Sequence, residues 1–175
     1  MGKMVRLSNS AFLSMVTSCL EVYKKESYGV LLGMSVNGHS LVKHSMNYQS
    51  AKRTYDYVDV HPKREKKITR VLKYISTNKL VGDFHSHADW PDGLSNHDKK
   101  DLLSKGNKWV SLLLVIWDTN KKTPWIYNRK EKYLSGSVGK RFFVKMHAYK
   151  NMEGKIQKVR IDCPYVKRLN ENHFG

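Results

Sequence analysis

Residues Trp109–Trp117 read WVSLLLVIW, and no other stretch constrains the chain so tightly. With a single serine among nine residues, the run has no polar face, so a strand built from it needs cover on both sides. It is far short of the roughly 20 residues that a membrane-spanning helix requires. It therefore predicts a central strand of a sheet, with other layers packed above and below.

The flanking sequence supplies those layers. Ser8-Asn9-Ser10 offers N-cap chemistry, and Phe12, Met15, Val16, Cys19, Leu20 and Tyr23 recur at spacings of three and four. This predicts an amphipathic helix over residues 8–25. Tyr28–Val36 is short, apolar and compatible with a strand; Asn37-Gly38 is a strong hairpin signal, and a second strand is expected over His39–Tyr48. Tyr55–Val60 alternates and predicts another strand. Pro62 opens a helix over about residues 62–78, with Ile68, Val71, Leu72 and Ile75 as its buried stripe. Leu80–His87 reads as a strand, Trp90-Pro91-Asp92-Gly93 as a turn, and Ser95 as the start of a helix with Leu102 and Leu103 facing inward. Trp125-Ile126-Tyr127 resumes the sheet. Beyond Lys130 the signal weakens, with strands expected over Arg141–Tyr149 and Lys155–Asp162. The pattern predicts one α/β domain, a central mixed sheet flanked by helices, with a core over residues 1–130 and a basic C-terminal extension over residues 131–175.

Composition limits the function. At 175 residues, 40% hydrophobic and 11% aromatic, the chain is not of the disordered class. Its 32 Lys and Arg against 15 Asp and Glu give a formal charge of +17, concentrated after residue 118. Such an excess favours anionic partners without choosing among acidic protein, nucleic acid and anionic lipid. Cys19 and Cys163 lack the paired spacing of a zinc finger or redox motif and are expected to be reduced and buried. The N-terminal residues carry no long apolar stretch, and Arg6 stands where a myristoylation site needs Ser or Thr. The expectation is a cytoplasmic protein that does not cross a membrane.

The chemistry concentrates in Gly82-Asp83-Phe84-His85-Ser86-His87, followed after seven residues by Ser95-Asn96-His97-Asp98. On a strand, residues i and i+2 share a side, so His85 and His87 present two imidazoles to one point. If Ser95 caps a helix, Asp98 lies in its first turn and can face the strand end. Two His and one Asp make a zinc shell with a fourth position left for water. Taken singly, each piece has a plainer reading. His-x-His can be a surface coincidence, and Ser95-x-x-Asp98 is a good capping box. The joint spacing His-x-His-x(7)-Ser-x-x-Asp is far harder to obtain by accident. Asp83, Asp89, Asp92 and His97 fall outside it, as do His39, His44, His61, His147 and His173. Trp109, Trp117 and Trp125 read as core.

This pattern resembles the JAMM (MPN+, JAB-domain) metalloprotease family, in which an upstream Glu precedes the same spacing. Glu26-Ser27-Tyr28-Gly29-Val30-Leu31-Leu32-Gly33 is similar to the family's Glu-x-x-Gly segment with its apolar strand and second Gly, and Val81-Gly82-Asp83-Phe84 leads into the histidines as in the family. Two prolines usual in the family are replaced by Ala88 and Leu94. The resemblance implies an MPN/JAB-type fold, cytidine-deaminase-like, with a helix-flanked mixed sheet. It implies Zn2+ held by His85, His87 and Asp98, Glu26 as general base, and Ser95 helping to hold the oxyanion. The implied activity is hydrolysis of a peptide or isopeptide bond, often at the glycine-ended tail of a ubiquitin-like protein, a partner that the +17 charge suits. Substrate choice would lie in the stretches near Asn47–Pro62 and Lys99–Lys108. Two alternatives stand beside it: a nucleic-acid-associated protein like the RadC-like branch, which the lack of a nucleic-acid motif disfavours, and a non-catalytic scaffold that dimerises or pairs with another MPN protein.

Overall fold

A computed structural model describes residues 3–48, 52–53, 58–59 and 62–174. The chain runs β1 (Met4–Leu7), α1 (Asn9–Glu21), β2 (Tyr28–Val36), β3 (His39–Asn47), β4 (Lys52–Arg53), β5 (Val58–Asp59), α2 (Pro62–Ile75), β6 (Lys79–Ala88), α3 (Asn96–Ser104), β7 (Val110–Asp118), β8 (Ile126–Asn128), β9 (Tyr133–Val138), β10 (Phe142–Met152), β11 (Lys155–Lys158), β12 (Arg160–Asp162) and α4 (Tyr165–Phe174). The apolar run becomes β7, parallel to β6 and antiparallel to β10. Its Leu112, Leu113, Leu114 and Val115 are fully buried, on both faces of the sheet.

Ten strands form one mixed sheet in the order β12-β1-β3-β2-β6-β7-β10-β9-β8, with β11 paired to β10 beside this path. The expected helix-flanked sheet of MPN/JAB type, cytidine-deaminase-like, is not what this sheet makes. It curls into a nearly closed barrel with more strand than helix. The segment expected as one strand over Lys155–Asp162 explains the closure. Its first part, β11, pairs antiparallel with β10, and after Val159 its second part, β12, pairs parallel with β1. One short stretch thus joins two distant places in the strand order. The curl is visible elsewhere: Lys150 on β10 donates through Nζ to Gly38 O in the β2–β3 turn at 3.0 Å, although β6 and β7 stand between those strands in the sheet.

The core lies within the curl. Phe12, Met15, Val16 and Cys19 of α1 pack with Val5, Leu31, Val42, Phe84, Leu112, Leu114, Val144, Met146 and Ile161, and α4 adds Tyr165, Val166 and Leu169 at its border. Ser8 caps α1 by accepting from Ala11 N–H. The remaining helices form no layer. Helix α2 buries only Leu72; Val71 and Ile75 of its expected stripe are exposed. Helix α3 buries Leu102, but Leu103 faces solvent. Strands β1 and β9 and helix α4 were not legible in the sequence. Of the strand expected over Tyr55–Val60, only β5 is described, paired with β4 apart from the main sheet; the rest, like most of Asn47–Pro62, lies outside the described residues. Among the described residues no helix is long and apolar enough to cross a membrane.

Candidate metal centre

Strand parity puts His85 and His87 on the outer face of β6, opposite Leu113 and Val115 of β7 in register. Ser86 points the other way and serves as a latch: its Oγ accepts from Ser27 N–H at 2.9 Å, while Ser86 N–H donates to Ser27 O at 3.0 Å. Together with the Tyr28–His85 register of β2 against β6, this brings the residue before Ser27 to the site. Glu26 Oε1 lies 3.6 Å from His87 Nε2.

Asp98 arrives from the other side. Ser95 is the N-cap of α3, and the capping box is complete: Ser95 N–H donates to Asp98 Oδ2 at 2.7 Å and Asp98 N–H to Ser95 Oγ at 3.2 Å. The plainer reading of that pair is therefore true, and it does not compete with the other. The same Oδ2 lies 3.4 Å from His85 Nε2 and 3.7 Å from His87 Nε2. The cap aims the carboxylate at the imidazoles.

The ligand atoms of His85, His87 and Asp98 all lie within 4.8 Å of one another, and the group could hold a metal ion. Three observations fit a cation. His85 Nε2 is buried with no hydrogen-bond partner. His87 Nδ1 sits 3.0 Å from Pro91 O; a carbonyl only accepts, so Nδ1 carries the proton and Nε2 offers its lone pair to the site. Donors on a tetrahedral ion with bonds of about 2.1 Å stand roughly 3.4 Å apart, close to the two distances from Asp98. The electrostatics agree. Burial alone would push the His85 pKa down, but Asp98, with Asp83 and Glu26 beyond it, raises it above the ordinary value. Burial would raise Asp98, but His85 and Ser95 hold it well below the usual carboxylate range. His87 is lowered, by burial and then by repulsion from His85. Positive charge is stabilised between His85 and Asp98, while His87 stays a neutral donor.

These groups open into a cavity of about 340 Å3, whose wall also includes Tyr28, Asp83, Trp90, Ser95 and Ser111. Asp83 is buried and raised above the ordinary range by burial, with hydrogen bonds from Ser111 and the Trp109 indole opposing the shift. The i, i+2, i+4 alternation of Asp83, His85 and His87 was the available signal for it. His97 is exposed at the rim and outside the metal-binding group. Asp89 and Asp92 are not ligands; they form ion pairs that hold the loop between β6 and α3. His147, which no motif marks, is buried against Asp92.

No family model matches the chain, and no curated protein matches it. Among solved structures it is similar to the solution structure of protein DSY2949 from Desulfitobacterium hafniense, a structural-genomics target. The TM-score is 0.61 at 14% identity, over 91% of this chain and 92% of that one. At that identity the likeness shows the fold alone.

Proposed function

We propose that this chain is a zinc-dependent hydrolase of peptide or isopeptide bonds, with the chemistry of the JAMM metalloproteases, acting on the glycine-ended tail of a ubiquitin-like or other acidic protein. The observation that carries the reading is Glu26. Its Oε1 lies 3.6 Å from His87 Nε2, beside the His85–His87–Asp98 group, where a general base belongs.

Zinc held by His85, His87 and Asp98 would supply Lewis acidity, polarising the scissile carbonyl and acidifying water. Glu26 accepts the proton of the attacking water as its oxygen bonds to the carbonyl carbon, then delivers that proton to the leaving nitrogen as the C–N bond breaks. Ser95 Oγ accepts from Asp98 N–H, and its O–H would turn to the carbonyl oxygen as that atom gains charge. The +17 charge steers an acidic substrate toward the site, and the free, buried Cys19 and Cys163 suit a reducing cytoplasm.

The test combines metal analysis with cleavage of a Lys-linked, glycine-tailed conjugate. Glu26→Gln should keep its zinc and lose cleavage by about 100-fold or more. Normal cleavage by that variant removes Glu26 from the mechanism. A purified wild type that neither binds zinc nor cleaves any conjugate sinks the reading, and tight, steeply salt-dependent nucleic-acid binding would then favour the RadC-like alternative.

A further inference from the structure

The loop between β6 and α3 is pinned twice. At its start Asp89, in the left-handed region at φ 64°, accepts from Tyr23 Oη at 2.8 Å and from Lys24 Nζ at 2.7 Å. Three residues later Asp92 accepts from Lys145 Nζ through Oδ2 and from His147 Nε2 through Oδ1, both at 2.7 Å. Both partners of the second pin come from β10, on the far side of β7 from β6. Their register opposite Val115 and Leu113 sets them on the same face as the histidines of β6.

The second pin is built at a cost that loop closure alone does not call for. His147 is almost wholly buried. A carboxylate only accepts, so Nε2 carries the proton, and Nδ1 is left buried without a partner. Lys145 is confined between two rings, with Nζ 5.3 Å from the centre of Trp117 and 4.8 Å from that of Tyr133. The residue they grip adjoins a loop carbonyl that touches the metal-binding group. Pro91 O and Asp92 N belong to one planar peptide unit, so holding Asp92 restrains the direction of that carbonyl. The carbonyl in turn accepts from His87 Nδ1 at 3.0 Å.

We propose that Asp92 is a positioning residue of the metal centre: gripped by Lys145 and His147, it holds the Pro91 carbonyl that sets the tautomer and ring direction of His87. This rests on the reading of His85, His87 and Asp98 as metal ligands. Outer partners of ligating histidines typically govern metal affinity by 10–100-fold, and here that partner is a backbone carbonyl tied down at a distance.

The experiment uses the full chain, zinc alone as ligand, and two readouts: zinc affinity by chelator competition, and the ring-nitrogen shifts of His87 in 15N-histidine-labelled, metal-free protein. The wild type should show the Nδ1–H tautomer. Asp92→Ala should lose that tautomer's dominance and bind zinc about 10- to 100-fold more weakly, with Asp92→Asn between the two. Should Asp92→Ala fail to fold, Lys145→Met removes one arm of the grip and should weaken zinc a few-fold. Asp89→Ala, which releases the other pin, should leave the His87 tautomer unchanged. A folded Asp92→Ala that keeps both the tautomer and wild-type zinc affinity overturns the proposal. A wild type that binds no zinc overturns the metal reading separately, and the tautomer readout still decides whether Asp92 governs His87.

Discussion

Replacing Lys150 by Met tests the curl of the sheet through one charge. Lys150 follows Val144, Met146 and Ala148 on the inner face of β10, is 1% exposed, and has the Gly38 carbonyl as its hydrogen-bond partner. Burial, followed by repulsion from Lys3, lowers its pKa from the ordinary 10.5 to about 8. A base whose folded pKa lies below its unfolded value binds fewer protons when folded, so stability rises with pH between the two values. The penalty is therefore fully present below pH 8 and is relieved as the pH climbs toward 10.5. At about 1.4 kcal/mol per pH unit, that interval corresponds to roughly 3 kcal/mol. Met keeps the length of the apolar stem but leaves the Gly38 carbonyl unsatisfied, a loss of about 1 kcal/mol. Lys150→Met should thus be more stable than wild type by about 2 kcal/mol near pH 7. By pH 10.5 the advantage should vanish and turn into a deficit of about 1 kcal/mol. Urea unfolding from pH 6.5 to 10.5, with chelator and reductant present, reads the difference directly. A difference that does not change with pH would refute the reasoning, since it would put Nζ in water and separate the end of β10 from the β2–β3 turn.

Two further outcomes follow from the geometry. A Cβ on Gly82 would stand 2.0 Å from Val110 O and 2.6 Å from Val110 Cγ1, so Gly82→Ala should force β6 from β7, lower stability by about 1–3 kcal/mol or more and weaken zinc binding; an unchanged urea midpoint would contradict this. Zinc at 100 times its Kd should stabilise the wild type by about 2.7 kcal/mol, seen as a raised Tm that chelator reverses, and His85→Ala and His87→Ala should each lose that increment; an increment that survives both changes would locate the zinc elsewhere.

What could be read from the sequence depended on how local each cause was. The short apolar run ending at the Asn37-Gly38 turn foretold β2 with its observed limits, and the absence of a polar face foretold β7 as an interior strand. Both are properties of adjacent residues. The curl depends on the stretch from Lys155 to Asp162 changing partners at Val159, and nothing in its composition marks the change. Strands as short as β1 and β12 cannot display an alternation long enough to recognise. The α2 stripe fails for a related reason. Its apolar spacing is helical, but the ground beneath it is a small patch around Val30 and Tyr48, against which Ile68 packs half-buried; Leu72 is buried, and Val71 and Ile75 are left exposed. Periodicity says which face could be buried, not how much surface is there to bury it.

The candidate site survives the correction of the fold because most of it is made of local relations. His85 and His87 share a face by strand parity, and Asp98 turns inward because Ser95 caps the first turn of α3; neither fact depends on how the sheet closes. Glu26 is the exception, since no spacing rule connects it to residues some sixty positions away, and it entered only through the family resemblance. The physical link is the serine between the two histidines. Parity directs Ser86 away from the site, into the exchange with Ser27 that sets Glu26 beside His87. The middle position of His-x-His thus has its own task, joining β6 to the segment that carries the carboxylate. A side chain there unable to accept from Ser27 N–H would leave both imidazoles in place but remove one of the two hydrogen bonds that seat the Glu26 segment, the backbone bond from Ser86 N–H to Ser27 O remaining.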